Sequence, residues 1–503
     1  MAGVNCQAPP FGALLLYSSL RNEVLALMKS RWLLFIVLLA LVGGISVGAK
    51  VAHADASSCL GDAGPNALLG SIDGAKYKIE VPANWNGTLV LYSHGYEFPG
   101  SANPYTDVGD PITGSALLSQ GYALAGSSYS QQGWALQQAF HDQIALLNFF
   151  DQTCGQPTRT IAWGHSLGGI ITAGLVQLNP DRFSAALPMC GVVAGGVGTW
   201  NQALDGAFAF DVLLAGNSLP IVHLNPKTVG GAFNTAEAIL AGAQGSPQGQ
   251  ARLAMVAALG DTPGWFDPTS PEPAATDYAA QEYNQFLWDS QVDFPFLFFG
   301  RLELEIRAGG NPSWNTDVNY RTQLERSANF KEVKALYQQA GLSLDADLDT
   351  LAGTPRIAAD PGAVNYLSKY IVFNGNINIP VLTMHTTGDG LVVNQDEQTY
   401  RSVVDSEGNG GLLRQIFVHR AGHCSFSPAE TLAAFQTLIH RLNTGRWGDS
   451  TNVDLLNQEA AALGPGFNLI FANGQAVPAA PAFIHFEPTV FLRPYVGNGR
   501  QRH

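Results

Sequence analysis

The stretch Arg159–Leu175, RTIAWGHSLGGIITAGL, contains the pattern G-x-S-x-G at Gly164–Gly168. The apolar or small residues before it predict a strand, and the apolar run that begins at Leu167 predicts a helix. A serine between a strand and a helix lies on a sharp turn, the nucleophile elbow, which exposes its hydroxyl. The helix would direct backbone N–H groups and its positive dipole end to the same point. Ser166 is therefore the candidate nucleophile.

Strands and helices alternate on both sides of a long interruption, which predicts one mostly parallel sheet with helices on both faces. Before the interruption we expect strands at 76–81, 88–93, 122–127, 160–164 and 185–190, and helices at 113–120, 135–150 and 167–178. After it we expect strands at 380–385 and 414–419, and helices at 394–404 and from 428 onward. The last helix begins with Ser427-Pro428-Ala429-Glu430, which combines an N-cap serine, a first-turn proline and a capping-box glutamate.

The interruption, residues 191–377, contains Ala-rich helical runs, a Pro-rich link and the aromatic tract YNQFLWDSQVDFPFLFFG at Tyr283–Gly300. We interpret it as a large, mainly helical cap or lid that is inserted between residues 55–190 and 378–443, the two halves of one sheet. Residues 444–503 form a tail, and its aromatic side chains indicate that it packs on the body: Phe483, Phe486, Phe491 and Tyr495.

Residues 1–54 are predicted to lie outside the fold. A short basic segment, Met28–Arg31, precedes the apolar run Trp32–Gly48, and Ala52-His53-Ala54 has the form of a signal-peptidase site. We interpret Met28–Ala54 as a secretory signal peptide, with an N-terminal extension before it, and expect a secreted protein. The alternative is an uncleaved membrane anchor, although the run is rather short for one. Contact with a membrane is expected only in that case.

The overall composition excludes several classes of protein. The 503 residues carry a formal net charge of -14 and show no basic patch, which argues against nucleic acid as a partner. Outside the leader there are four cysteines, and an even number in an oxidising compartment predicts two disulfides with three alternative pairings: Cys59, Cys154, Cys190 and Cys424. Free buried thiols are the alternative. No CxxC or HExxH pattern supports a zinc site.

A nucleophilic serine needs a histidine base and an acid that orients the base. The segment MHTTGDGLVV places Asp389 just after an expected strand, and VHRAGHCSF places His423 just after the next. Asp389 and His423 are therefore the candidate acid and base. The residues that compete with them are histidines beside or within strands and acids on helices: His165, His385, His419, Asp396, Glu397, Asp205 and Asp211.

Four short motifs occur together: HG at His94-Gly95, GHSLG at Gly164–Gly168, GDG at Gly388–Gly390 and GH at Gly422-His423. With them the chain resembles a serine hydrolase of the α/β-hydrolase fold, similar to carboxylesterases and lipases, over about residues 72–190 and 378–443. The resemblance implies an oxyanion hole in which the N–H of Leu167 acts with that of Gly95 or Tyr96. It implies no metal or organic cofactor.

The same topology favours one pairing of the cysteines. Cys190 would end the strand beside the elbow strand, and Cys424 directly follows His423, so a Cys190–Cys424 bond would hold the histidine loop over Ser166. Cys59–Cys154 would then fix the N-terminal segment to the opposite edge.

The leading hypothesis is an exported hydrolase of small-molecule or polymeric carboxylic esters. Aromatic residues of the cap are candidates for an apolar substrate pocket, with plain cap core as the alternative: Trp288, Phe294, Phe296, Phe298 and Phe299. A second hypothesis is an aminopeptidase-like serine peptidase, which would need carboxylates to hold a substrate amine; the candidates are Asp289, Asp293, Glu303 and Glu305. A non-catalytic binding protein is disfavoured because every catalytic residue is present.

Overall fold

The computed structural model describes Cys59, residues 67–472, residues 474–493 and Tyr495. The predicted signal segment lies outside the described residues, so it stays a prediction. Within the described ranges, no helix has both the length and the apolar character that a membrane crossing requires.

A nine-stranded sheet with the order β1-β2-β4-β3-β5-β6-β7-β8-β11 forms the centre of the molecule. The pairs from β4 to β8 are parallel, while β1, β2 and β11 pair antiparallel at the two edges. This mostly parallel sheet confirms the fold predicted from the sequence. The strands are β1 (Leu68–Ile72), β2 (Ala75–Glu80), β3 (Thr88–Ser93), β4 (Ala123–Ser127), β5 (Arg159–His165), β6 (Ala185–Met189), β7 (Val381–Gly388), β8 (Leu413–Ala421) and β11 (Phe483–Ile484). A separate hairpin joins β9 (Leu469–Ala472) to β10 (Gln475–Pro478).

Five helices cover the two faces of the sheet. They are α1 (Pro111–Ser119), α2 (Leu136–Thr153), α3 (Leu167–Leu178), α13 (Gln395–Ser406) and α14 (Pro428–Thr444). The side chains of β3 alternate between two cores: Leu89 and Leu91 pack in the core that contains α2 and α3, whereas Val90 and Tyr92 pack in the core of α1 and α14. A strand buried on both faces carries a nearly continuous apolar run, which explains Leu89–Leu91 at the centre of TLVLYS.

The long interruption folds as a helical insert between β6 and β7. Its helices are α4 (Gly195–Leu213), α5 (Val229–Gln244), α6 (Pro247–Gly260), α7 (Tyr278–Trp288), α8 (Arg301–Ala308), α9 (Tyr320–Arg326), α10 (Phe330–Ala340), α11 (Leu344–Gly353) and α12 (Pro361–Lys369). Two π-helical turns, Asp289–Asp293 and Phe296–Gly300, lie between α7 and α8. The insert has an apolar core of its own, to which α4, α5, α6 and α10 contribute.

The C-terminal segment contributes α15 (Val453–Ala462) and the last strand of the sheet, β11. Phe483 pairs with Val418 of β8 and is buried, and Phe491 is buried beside Val393. The sequence patterns did not predict β1 or β11, because edge strands this short carry little periodic signal.

Two disulfide bonds cross-link the described residues. Cys59 is bonded to Cys154 at the end of α2, and Cys190 after β6 is bonded to Cys424 after β8. These are the pairs that the topology favours. The second bond links the two halves of the sheet at the carboxyl ends of its strands.

Candidate active site

Ser166 lies at the turn between β5 and α3 with φ 59° and ψ -123°, a backbone conformation that L-residues rarely adopt. Its N–H donates a hydrogen bond to the carbonyl of Met189 at 3.0 Å, which fixes the turn to the neighbouring strand β6. Such strain at a serine is typical of a nucleophile elbow.

The glycines around Ser166 are required because a Cβ at their positions would collide with neighbouring backbone atoms. A Cβ on Gly168 would overlap the carbonyl oxygen of Ser93, and one on Gly164 would lie 2.5 Å from the same oxygen. Gly169 packs with similar closeness against the backbone of Gly191. The elbow therefore depends on three residues without side chains.

His423 and Asp389 meet beyond the ends of β8 and β7. Nδ1 of His423 lies 2.7 Å from Oδ2 of Asp389, which is fully buried. The other carboxylate oxygen of Asp389 accepts hydrogen bonds from the N–H groups of Leu391 and Val392, each at 3.1 Å. Burial on its own would raise the pKa of Asp389, but His423 and His385 outweigh that effect and lower it. Asp389 is thus an ionised carboxylate that holds one nitrogen of His423.

The other nitrogen of His423, Nε2, lies 3.4 Å from Sγ of Cys424. Among the described residues, no hydrogen bond joins the Ser166 hydroxyl to His423, so either the hydroxyl has to rotate or the imidazole has to shift before a proton is transferred. Catalytic hydrogen bonds are often long in enzymes without substrate. The Cys190–Cys424 bond limits how far this loop can move.

The loop after β3 reaches Ser166 from the other side. A Cβ on Gly95 would lie 3.4 Å from Cβ of Ser166, so the backbone of this loop passes close to the nucleophile. Nδ1 of His94 lies 2.8 Å from the carbonyl of Gly95, and its ring stacks on Tyr129. The structure therefore places Gly95, Tyr96 and Leu167 beside Ser166, where their N–H groups are candidates for the oxyanion hole.

The competing histidines have other partners. His165 points into the body, where Nδ1 lies 3.1 Å from the hydroxyl of Tyr92, and burial together with the charge of His423 lowers its pKa to about 4. His419 lies within β8 and pairs with Glu272 at 3.2 Å.

The competing acids are also elsewhere. Asp396 accepts a hydrogen bond from the N–H of Ala194 at 2.9 Å, and Glu397 faces Nδ1 of His385 at 3.2 Å. In the insert, Asp205 pairs with Arg493 at 3.1 Å, and Asp211 accepts from the N–H of Leu219 at 2.8 Å.

His385, the third competing histidine, contacts the acid Asp389 itself. Its Nε2 lies 2.8 Å from the carbonyl of Val392 and 3.5 Å from Oδ2 of Asp389. Burial lowers the pKa of His385, but hydrogen bonds to Asp389 and Glu397 raise it overall, to about 10. A buried imidazolium therefore lies behind Asp389. The sequence signal for this contact was the position of His385 in β7, four residues before Asp389.

A cavity of about 1110 Å³, including its opening to solvent, lies between the sheet and the insert. Ser166 and Leu167 form part of its wall, and most of the remaining wall is apolar. Besides Tyr96, its aromatic side chains come from the insert and from the loop before α2: Trp134, Trp200, Phe210, Phe294, Phe296 and Phe298. Trp134 and Trp200 were not predicted, because nothing local marks them as neighbours of Ser166.

Two of the five predicted pocket residues do not line the cavity. Trp288 is buried above Gly390 and donates its indole N–H to the carbonyl of Trp265 at 3.0 Å. Phe299 packs against Phe233 and is 37% exposed. Both Phe298 and Phe299 contact Phe233 of α5, but consecutive helical residues point in different directions, so Phe298 also reaches the cavity whereas Phe299 reaches the solvent.

Only two of the four carboxyl groups predicted for an amine site line the cavity. Asp289 and Asp293 line the cavity. Glu303 instead pairs with Arg307 at 2.6 Å, and Glu305 accepts from the N–H groups of His223 and Leu224. Glu303 and Glu305 are therefore not part of the predicted amine site, because they belong to α8, after the second π-helical turn, and do not line the cavity.

The model of the prolyl oligopeptidase family matches residues 112–195, a range that includes the elbow. The nine-stranded sheet and this match both indicate the same fold. The chain has the α/β-hydrolase fold, and its segment around Ser166 is similar to the prolyl oligopeptidase family. The resemblance inferred from the four motifs is thereby confirmed, while the match does not decide between esters and amides.

Several known proteins are similar to this chain. An o-phthalyl amidase of Xanthobacter agilis is 29% identical over 430 residues, which cover 78% of this chain and 90% of that protein. An esterase from Aspergillus oryzae shares 12% identity over 75% of this chain and 79% of its own, with a TM-score of 0.38. An acylaminoacyl peptidase of Pyrococcus horikoshii shares 11% identity over 72% of this chain and 38% of its own, with a TM-score of 0.32. The chain spans 36–43% of the length of the peptidase structures that it matches. At these identities the solved structures say nothing about the substrate.

Proposed function

We propose that this chain hydrolyses carboxylic esters and amides with an aromatic acyl group through an acyl-enzyme on Ser166. The observation that carries the proposal is the position of Ser166, on a strained elbow in the wall of an aromatic cavity. The hydrogen-bonded His423–Asp389 pair follows strands β8 and β7 of the same parallel sheet.

The proposed reaction has two halves. Nε2 of His423 accepts the proton of the Ser166 hydroxyl while Oγ forms a bond to the substrate carbonyl carbon. The N–H of Leu167, with that of Gly95 or Tyr96, stabilises the negative oxygen, an effect that is typically worth about 3–4 kcal/mol. The carbon–oxygen or carbon–nitrogen bond to the leaving group then breaks, and His423 protonates the leaving group. Water repeats the sequence on the acyl-enzyme and restores Ser166.

The walls of the cavity support an aromatic acyl group. Offset and edge-to-face contacts with flat side chains such as Trp134, Trp200 and Phe296 favour an aromatic ring. The name of the Xanthobacter agilis relative, an amidase, favours amides beside esters. An aminopeptidase-like activity is the second candidate function, because Asp289 and Asp293 line the same cavity.

We also propose that the protein is exported. Two disulfide bonds among the described residues fit an oxidising compartment. Sequencing the N-terminus of the protein recovered from the culture medium tests this, and a product that still begins before residue 54 contradicts cleavage of a signal peptide.

The reaction is tested with p-nitrophenyl esters and p-nitroanilides of acetic, hexanoic and benzoic acid. We expect benzoyl substrates to have the highest kcat/KM and Ser166→Ala to abolish turnover of all of them. Ser115→Ala is the matched control, since its hydroxyl contacts only the carbonyl of Pro111 on the exposed side of α1. Unchanged turnover by Ser166→Ala refutes the nucleophile, and a preference for acetyl over benzoyl refutes the aromatic pocket.

A further inference from the structure

We propose that Asp289 and Asp293 bind a protonated amine on the acyl part of the substrate, so that the preferred substrates are aromatic amino esters and amides. This inference rests on the proposed function and names the substrate class of the same cavity. It begins from the charge of the cavity wall. Asp289 and Asp293 line it, whereas no Lys, Arg or His belongs to the part of the wall that the structure describes.

Asp289 is buried but lacks a full set of partners. Its side chain is 4% exposed, and Oδ2 is buried without a hydrogen bond among the described residues. Burial, together with the charges of Glu282 and Glu237, raises the pKa of Asp289 to about 8. A carboxyl in this setting lacks a positive partner. An ammonium group that enters the cavity supplies one and makes hydrogen bonds to the free oxygen.

Asp293 extends this acidic site towards the catalytic residues. Burial and the negative charges of Asp289 and Asp389 hold its pKa well above the usual range. Asp293 also lines the same cavity as Ser166 and Gly390, the residue after Asp389. An amine held here shares the cavity with the carbonyl that Ser166 attacks, which suits substrates with the amine and the carbonyl on the same or adjacent carbons.

The backbone between these two carboxyls is unusual in the same place. Asp289–Asp293 forms one π-helical turn, and Phe296–Gly300 forms a second. Such turns are rare and often occur at functional sites. Here they bring both carboxyls and the ring of Phe296 to one cavity.

An anionic substrate fits this wall poorly. A carboxylate on the acyl group would meet Asp289 and Asp293 with no cation among the described lining residues, and Glu237 and Glu282 add negative charge behind them. If both aspartates instead kept their protons and donated hydrogen bonds, acyl groups with a neutral or anionic acceptor would be preferred. The experiment separates these two cases.

The test compares p-nitroanilides and p-nitrophenyl esters of phenylalanine, N-acetylphenylalanine, 3-phenylpropionic acid and phthalic acid. We expect kcat/KM for the free-amine substrates to exceed that for 3-phenylpropionyl substrates about tenfold to a hundredfold, as for a hydrogen-bonded charge pair. Asp289→Asn and Asp293→Asn should remove most of this preference, mainly by raising KM for the free-amine substrates. Glu459→Gln, an equal charge change on exposed α15, should change neither.

Binding is measured separately by calorimetry with phenethylamine and its neutral analogue 2-phenylethanol. Tighter binding of the amine by the Ser166→Ala protein, lost in the added Asp293→Asn variant, supports the site even if the chosen leaving groups react slowly. Should Asp289→Asn fail to fold, the less buried Asp293→Asn variant still decides the question.

Equal turnover of amine and neutral substrates together with equal binding overturns the amine site. A preference for the phthalyl substrate does so as well. Either result leaves the proposed hydrolysis intact when 3-phenylpropionyl esters are cleaved through Ser166. Absence of all Ser166-dependent turnover refutes the proposed function instead, and the binding data then judge the amine site alone.

Discussion

The Cys190–Cys424 bond gives a prediction in which stability and activity separate. It closes a sequence separation of 234, and Cys59–Cys154 closes one of 95. The chain-entropy relation assigns about 5.5 kcal/mol of stabilisation to the longer loop and about 4.7 kcal/mol to the shorter. We therefore expect the double variants Cys190→Ala/Cys424→Ala and Cys59→Ala/Cys154→Ala to lose nearly the same free energy of unfolding.

Activity should differ, because only one of the two bonds adjoins the catalytic loop. Sγ of Cys424 lies 3.4 Å from Nε2 of His423, and without the bond this loop keeps only its hydrogen bonds, such as that from Oγ1 of Thr386 to the carbonyl of Gly422 at 2.8 Å. A displacement of about 1 Å at a catalytic group costs on the order of a hundredfold in rate. We expect kcat/KM of the folded Cys190→Ala/Cys424→Ala protein to fall by about that factor, and that of Cys59→Ala/Cys154→Ala to stay within about twofold.

The assay combines urea unfolding, followed by circular dichroism, with ester turnover at a urea concentration and temperature where both variants are folded. Titration of free thiols verifies that each remaining disulfide is intact. Equal losses of activity in the two variants would show that the bond near His423 has no special part in catalysis. A stability loss below about 1 kcal/mol in both would refute the loop-closure reasoning.

Three further predictions concern single residues. The pKa of His385 is about 10 in the folded protein and about 6.5 in the unfolded chain, so its protonation stabilises the fold fully below pH 6.5. This contribution, roughly 5 kcal/mol, is lost as the pH rises through 10. The difference in unfolding free energy between wild type and His385→Gln, measured in urea, should therefore shrink from pH 6 to pH 10, and a constant difference contradicts a buried imidazolium. Gly168→Ala should yield no active soluble protein, because its Cβ overlaps the carbonyl of Ser93. The control Gly230→Ala has open space around the new Cβ and should add about 1 kcal/mol of helix stability in thermal unfolding. Active Gly168→Ala protein would contradict the packing at the elbow. Trp163→Ala, at a fully buried position of β5, should cost about 3–5 kcal/mol in urea unfolding, and a loss under 1 kcal/mol would place this ring outside the core.

Much of the fold was predictable because its signals are local. The strand Thr88–Ser93 and the helix Leu167–Leu178 occur with the bounds that the sequence predicts. Their periodicity and the turn chemistry between them depend on residues a few positions apart. The short edge strands β1 and β11 could not be predicted in this way, because they are stabilised by pairing with distant β2 and β8.

By itself, the sequence determined the sheet, the elbow at Ser166 and the positions of Asp389 and His423, since each follows a strand in the order that the fold requires. Only the tertiary structure decided what faces them. It turned Phe298 inward and Phe299 outward, left Asp289 and Asp293 in the cavity while Glu303 paired with Arg307, and placed His385 against Asp389. Those outcomes depend on contacts between the insert and the sheet across long sequence separations, and no local pattern of residues encodes them.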